Sequence, residues 1–175
     1  MNIKFFTLAS VHLITSLIVG VVFLYLTFVI VRQFFRRRKL QIETTNVAFG
    51  IFAAAIMFTM GYILSGVFEP AMATANILMK GNPAIGIFIS QYMKYMGLFL
   101  LFGALTTGLV ILTAIKVFDL FTASIDELKE ISQNNISVSI VLSTMIIVVA
   151  ILAKPSIVML VEAIVPYPQI MGIGL

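Results

Sequence analysis

Residues 118–143 read FDLFTASIDELKEISQNNISVSIVLS. An Asp-Glu-Leu-Lys-Glu run and two asparagines interrupt an oily chain, which then returns at once to valine, isoleucine and serine. This is the pattern of a polar elbow between two membrane-crossing helices. Asn135 stands at the mouth of the next apolar run. An asparagine there accepts from a backbone N–H two or three residues on and relieves the helix start of an unpaired donor. Upstream, Asp126, Glu127, Leu128, Lys129, Glu130 and Ile131 predict a short amphipathic helix on the membrane surface. Ile125, Leu128 and Ile131, three apart, are expected to face the bilayer, and the carboxylates to face water.

Composition makes a membrane the only plausible solvent for what flanks this elbow. The chain has 175 residues, 61% of them hydrophobic and 10% charged, and a mean hydropathy of +1.15. An ordinary soluble domain carries roughly 25% charged residues. Apolar runs unbroken for about twenty residues indicate helices rather than the alternating strands of a membrane barrel. Four spans follow, at about 5–31, 47–68, 96–118 and 136–153. The first is read as a retained helix: its apolar run exceeds a signal peptide's core, and no small-residue cleavage pattern precedes the arginines. Cysteine is absent, which excludes a disulfide framework, a thiolate metal site and a cysteine nucleophile.

Basic residues set the expected orientation. Arg32, Arg36, Arg37, Arg38 and Lys39 lie between the first two spans, and Lys116 and Lys129 flank the third connection. Only Lys4, Lys80, Lys94 and Lys154 fall on the other side. The positive-inside rule then puts both charged elbows in the cytoplasm and both termini outside. Arg36, Arg37, Arg38 and Lys39, with Asp126 and Glu127 of the second elbow, are candidate contacts for lipid or a partner. Anionic headgroups attract such basic residues by roughly 1 kcal/mol per charge near the surface.

The two elbows also resemble each other. RRRKLQIETTNVAFGIFAAAIMF and DELKEISQNNISVSIVLSTMIIV carry Asn46 and Asn135 at the same place before a span. The offset that superimposes them also lays residues 11–31 over 100–120. At the far ends, Glu69-Pro70 is followed by Pro83 and Lys154-Pro155 by Pro168 at equal spacing, with one extra helical turn in the second span. The expectation is an all-α integral membrane protein whose four transmembrane helices form two parallel-repeat helical hairpins, residues 1–83 and 84–175. They would be related by a pseudo-two-fold axis along the membrane normal. After Pro70 and Pro155, AMATANILMKGNP and SIVMLVEAIVPYP are too short to cross and are expected as outer interfacial or re-entrant helices, stopped at Gly81-Asn82-Pro83 and Pro166-Tyr167-Pro168.

The series Thr122, Asp126, Glu127, Leu128, Ile131 and Asn135, followed by small and branched residues, resembles the YjfL-type family of bacterial inner-membrane proteins, a domain of unknown function. In that family a glycine is expected where Asn134 stands. The resemblance implies about four spans in two similar hairpins and a bacterial inner-membrane location; it implies no chemistry.

No catalytic constellation is apparent. His12 is the single histidine and has no partner at ligand spacing, no phosphate loop or nucleophile triad is present, and no cofactor or metal is expected. The basic run lacks the interleaved aromatics of a nucleic-acid binder. Glu69 and Lys154, of opposite charge at equivalent outer ends, could pair within a subunit or between neighbours, or snorkel separately to the headgroups. Small residues four apart, Gly50/Ala54, Gly61/Ser65, Ala104/Gly108 and Ser139/Ser143, permit close helix approach. Two function classes remain. One is a structural or accessory subunit of an oligomeric envelope complex, with lipid and copies of itself or another membrane protein as partners. The other is a small ion or solute channel or transporter, with Asn46, Asn135, Thr59, Ser65, Thr106, Thr107, Ser139 and Ser143 lining a path at an oligomer axis.

Overall fold

The computed structural model describes residues 3–40, 42–43, 45–81, 84–122 and 126–165; the side chains of residues 3–9 and 11 are not among the features described. Within these ranges every regular element is a helix: α1 (Ile3–Arg37), α2 (Val47–Lys80), α3 (Ile85–Phe121), α4 (Glu127–Ser132) and α5 (Ile136–Glu162). Four of the five are long and apolar enough to cross a membrane. The protein is an all-α membrane protein. Its chain passes up and down between an elbow end, which holds the connections around residues 38–46 and 122–135, and a tip end, which holds the α2–α3 turn.

Charged residues and capping asparagines bracket a band of about 30 Å, the thickness of a hydrocarbon core. Asn46 and Glu69 bound it on α2, Lys94 and Lys116 on α3, and Asn135 and Lys154 on α5. The helices themselves are longer. α2 has 34 residues and α3 has 37, so both continue well beyond the band at the tip end.

This overshoot corrects the expected breaks at Pro70 and Pro155. Both prolines lie inside continuous helices, and the segments after them are extensions of α2 and α5 rather than separate interfacial helices. A proline inside a helix removes one i→i−4 bond and bends the rod without having to end it. Pro70 is itself buried, and Thr74 Oγ1 donates to its carbonyl at 2.9 Å. Gly81 caps α2 as expected. Asn82, Pro83, Pro166, Tyr167 and Pro168 lie outside the described residues, as do Thr44 and Ile125 of the elbows.

α2 is the central column. It packs against α5 most extensively and also against α3, α1 and α4, whereas α1 has α2 as its principal neighbour. Half of the most apolar window of α2 is buried, against 11% of that of α1. The largest apolar cluster lies at the elbow end and draws on both halves of the chain. Phe35 of α1 meets Phe49 and Phe52 of α2, and Phe118 of α3, Ile131 of α4 and Leu142 of α5 belong to the same cluster. Further clusters centre on Ile63 and Ala150 at mid-membrane and on Val67, Phe99 and Val161 toward the tip.

α4 differs from its amphipathic expectation. Leu128 and Ile131 are 5% and 0% exposed and sit inside the elbow-end cluster, not against the bilayer. Glu127, expected in water, is buried and accepts from Thr122 Oγ1 at 2.6 Å. Six residues form too short a helix to have an interior of their own. α4 instead covers the open end of the bundle, packed on α2 and α5.

Candidate functional site

The elbow end gathers most of the polar residues singled out from the sequence. α1 and α4 both finish in a Schellman geometry, in which the chain reverses through a left-handed residue and the N–H groups of that residue and the next cap the helix. In α1, Lys39 N–H donates to Arg36 O at 3.0 Å and Leu40 N–H to Phe35 O at 3.1 Å. In α4, Asn134 N–H donates to Ile131 O at 3.1 Å and Asn135 N–H to Glu130 O at 2.9 Å. The left-handed residues are Lys39, φ 58°, and Asn134, φ 65°. Asparagine tolerates that region better than most residues, which is why it can stand in the place expected of a glycine.

Asn46 and Asn135 then cap the helices that follow. Asn46 Oδ1 accepts from Phe49 N–H at 2.7 Å and Asn135 Oδ1 from Val138 N–H at 3.3 Å. Their amide nitrogens do different work. Asn46 Nδ2 donates across to the carbonyls of Ile131 and Ser132, both at 3.0 Å, while Asn135 Nδ2 donates to Glu130 Oε2 at 2.8 Å. In return, Asn134 Oδ1 accepts from Ala48 N–H at 3.0 Å, and Ser139 Oγ donates to Ala48 O at 2.6 Å. The first turn of α2 is thus tied to the second elbow by four bonds that cross between the halves of the chain. Asp126 caps α4 through Lys129 N–H at 3.2 Å. A cleft of about 180 Å³ lined by Glu43, Thr45, Asn46, Ser132, Gln133 and Asn134 opens beside this knot.

The basic residues lie apart from the knot, on the last turns of α1. Arg38 places its guanidinium 5.2 Å from the Phe34 ring centroid. Arg36 and Arg37, with Arg32, Gln33, Tyr25, Phe28 and Val29, line a groove of about 700 Å³. Arg32 and Arg36 also line an adjoining cavity of about 550 Å³ with Lys39, Leu40, Ile42 and Glu43. Among the described residues the one ion pair is Lys116–Asp119, exposed, at 3.4 Å.

Glu69 and Lys154 are therefore not joined within the chain. Glu69 is exposed. Lys154 Nζ donates to Ser65 Oγ at 2.9 Å and lies 4.1 Å from the Tyr62 ring centroid. Gly66 makes room for it: a Cβ at that position would meet Val158 Cγ2 at 2.6 Å and Lys154 Cε at 2.9 Å. His12 sits beside Phe68, rings 5.9 Å apart, and its Nδ1 lies 3.5 Å from Tyr92 Oη.

Of the hydroxyls considered for a polar path, Thr106 and Thr107 bond back to carbonyls of their own helix. Thr59, Thr107, Ser139 and Ser143 are buried inside the single chain. Thr59 and Ser143 are buried without a hydrogen-bond partner.

Sequence reasoning missed the tight glycines. At Gly50 and Gly108 an added Cβ meets nothing within 4 Å, whereas Gly66 and Gly103 are the crowded positions, the latter at 2.9 Å from Val67 Cγ2. Four-residue spacing of small side chains does not tell which face of a helix meets a neighbour. No curated protein and no solved structure matches the chain. The DUF350 family model, Domain of Unknown Function, matches residues 4–157, and the chain belongs to that family.

Proposed function

We propose that this chain is a non-catalytic structural or accessory subunit of an oligomeric complex in a bacterial inner membrane, with the elbow end in the cytosol and both termini on the opposite side. The observation that carries the reading is the elbow knot. Polar groups at the mouths of α2 and α5 are used in bonds between the halves of the chain, which makes the elbow end a fixed platform rather than an entrance. α1, with one principal neighbour, leaves an apolar face for lipid or another subunit, and exposed Glu69 offers a neighbouring copy an unpaired carboxylate.

The same reading includes an internal duplication. Residues on a two-fold axis meet their own equivalents. At the offset of 89 that relates Asn46 to Asn135, Lys154 corresponds to Ser65, which it touches, rather than to Glu69, its counterpart when the prolines are aligned. The contact between α2 and α5, the largest in the molecule, is where such an axis would pass.

Native purification in mild detergent tests the proposal. An oligomer or a co-purifying membrane protein is the expected result; a monodisperse monomer with no partner would remove it. A channel is the second reading, favoured by the unpartnered hydroxyls of Thr59 and Ser143. Ion flux through reconstituted protein that is abolished by Asn135→Ala would put the channel first.

A further inference from the structure

The geometry points to a stoichiometric site for one anionic diacyl phospholipid at the elbow end of α1, its phosphate held between Arg32 and Arg36 and an acyl chain lying along Tyr25, Phe28 and Val29. This deepens the membrane reading above by naming a lipid class and a seat for it. It does not depend on which side of the membrane the elbows face or on what the protein assembles with.

Depth is the first argument. α1 and α2 run antiparallel, with Phe35 against Phe49, ring centroids 5.2 Å apart, and Leu24 beside Gly61. That register sets Arg36 level with Phe49 and Arg32 level with Ala53, about 10 Å inside the Asn46 cap. A guanidinium so placed is costly unless it reaches water or an anion. No carboxylate pairs with either arginine among the described residues, and both are exposed.

Shape is the second. Arg32 and Arg36, one turn apart on one face, are shared by the two adjoining cavities. On the membrane side the groove continues along Tyr25, Phe28 and Val29. On the elbow side the second cavity is walled by Lys39, Leu40, Ile42 and Glu43, which the left-handed turn at Lys39 folds back beneath α1. A cationic fork continuous with an apolar track matches a phosphodiester attached to an acyl chain. Two arginines can grip its oxygens with paired N–H donors, which lysine cannot. Free inorganic phosphate would have no use for the track. Glu43 on the far wall disfavours a second negative charge there, so a monoanionic headgroup such as phosphatidylglycerol fits best.

Native mass spectrometry of the full-length protein in detergent, titrated with phosphatidylglycerol and with phosphatidylcholine of the same chains, tests the site. The expected result is one retained phosphatidylglycerol, preferred at least tenfold over phosphatidylcholine. That preference should disappear in Arg32→Gln/Arg36→Gln and persist in the charge-matched Lys116→Gln/Lys129→Gln, at exposed lysines of the same end. Equal binding of the two lipids, equal loss in both double variants, or displacement by millimolar inorganic phosphate would each overturn it. If the Arg32/Arg36 variant does not fold, the headgroup preference and phosphate competition of the unmutated protein decide. Failure would leave the accessory-subunit reading untouched, because that reading is judged by oligomer size and partners.

Discussion

Lys39 and Asn134, at φ 58° and φ 65°, reverse the chain at the ends of α1 and α4, where a side chain with a Cβ is strained. Lys39→Val should lower stability by about 1 kcal/mol or more, because a branched Cβ fits this region worst, while Lys39→Gly should not lower it. Unfolding midpoints in detergent compare the two; equal effects would mean that the turn carries no strain. Asn46 is a sharper case. Replacing it with alanine removes the cap on Phe49 N–H and the donor shared by Ile131 and Ser132. The expected loss is about 3 kcal/mol, one cap and one buried polar tie together. Asn135→Ala loses a longer cap bond and a bond to Glu130 and should cost about 1 kcal/mol. The same denaturation series tests this order, and a larger effect at Asn135 would refute the cross-tie. Both caps could be read from asparagine before an apolar run. The cross-tie could not, because residue type shows what a side chain can donate but not which distant carbonyl will be within 3.0 Å of it.

At the scale of elements, the α2–α5 contact depends on backbone closeness at Gly66, and the α2–α3 contact on Gly103. Gly66→Ala would drive a methyl to 2.6 Å from Val158 Cγ2 and displace Lys154 from its seat on Ser65 and Tyr62. Overpacking of this kind costs typically 1–3 kcal/mol. Gly50→Ala and Gly108→Ala, where a Cβ meets nothing within 4 Å, should be neutral or slightly stabilising, since alanine is the better helix former. Thermal midpoints of the three variants decide; uniform effects would show that helix propensity rather than contact dominates. The number of spans, their helical type and the starts of α2 and α5 were legible in hydropathy and capping, because lipid leaves the backbone no other way to pair its polar groups. Their far ends were not. Pro70 and Pro155 read as stops, yet losing one hydrogen bond weighs little against continued helix packing around Val67, Phe99 and Val161. The burial of α4 was equally hidden: a period of three in Leu128 and Ile131 announces an apolar face but not whether lipid or protein will cover it.

For the whole molecule, up-and-down topology and the two elbows sharing one end follow from the helix order, and the proposed side of the membrane for that end rests on charge alone. Arginine and lysine are retained on the cytosolic side during insertion, and Arg32, Arg36, Arg37, Arg38, Lys39, Lys116 and Lys129 of the elbow end outnumber Lys4, Lys80, Lys94 and Lys154 of the other. The chain has no cysteine, so single introduced thiols report position without a background to remove. Glu43→Cys and Gln133→Cys, which line the cleft beside the knot, should be labelled by an impermeant maleimide only after the membrane is opened, whereas Gly81→Cys should be labelled in intact cells. Labelling of Glu43→Cys and Gln133→Cys from opposite sides would contradict the fold itself, since Asn46, Asn134 and Ser139 bind the two elbows directly to one another. Labelling of both from outside would leave that architecture standing and reverse only the proposed orientation.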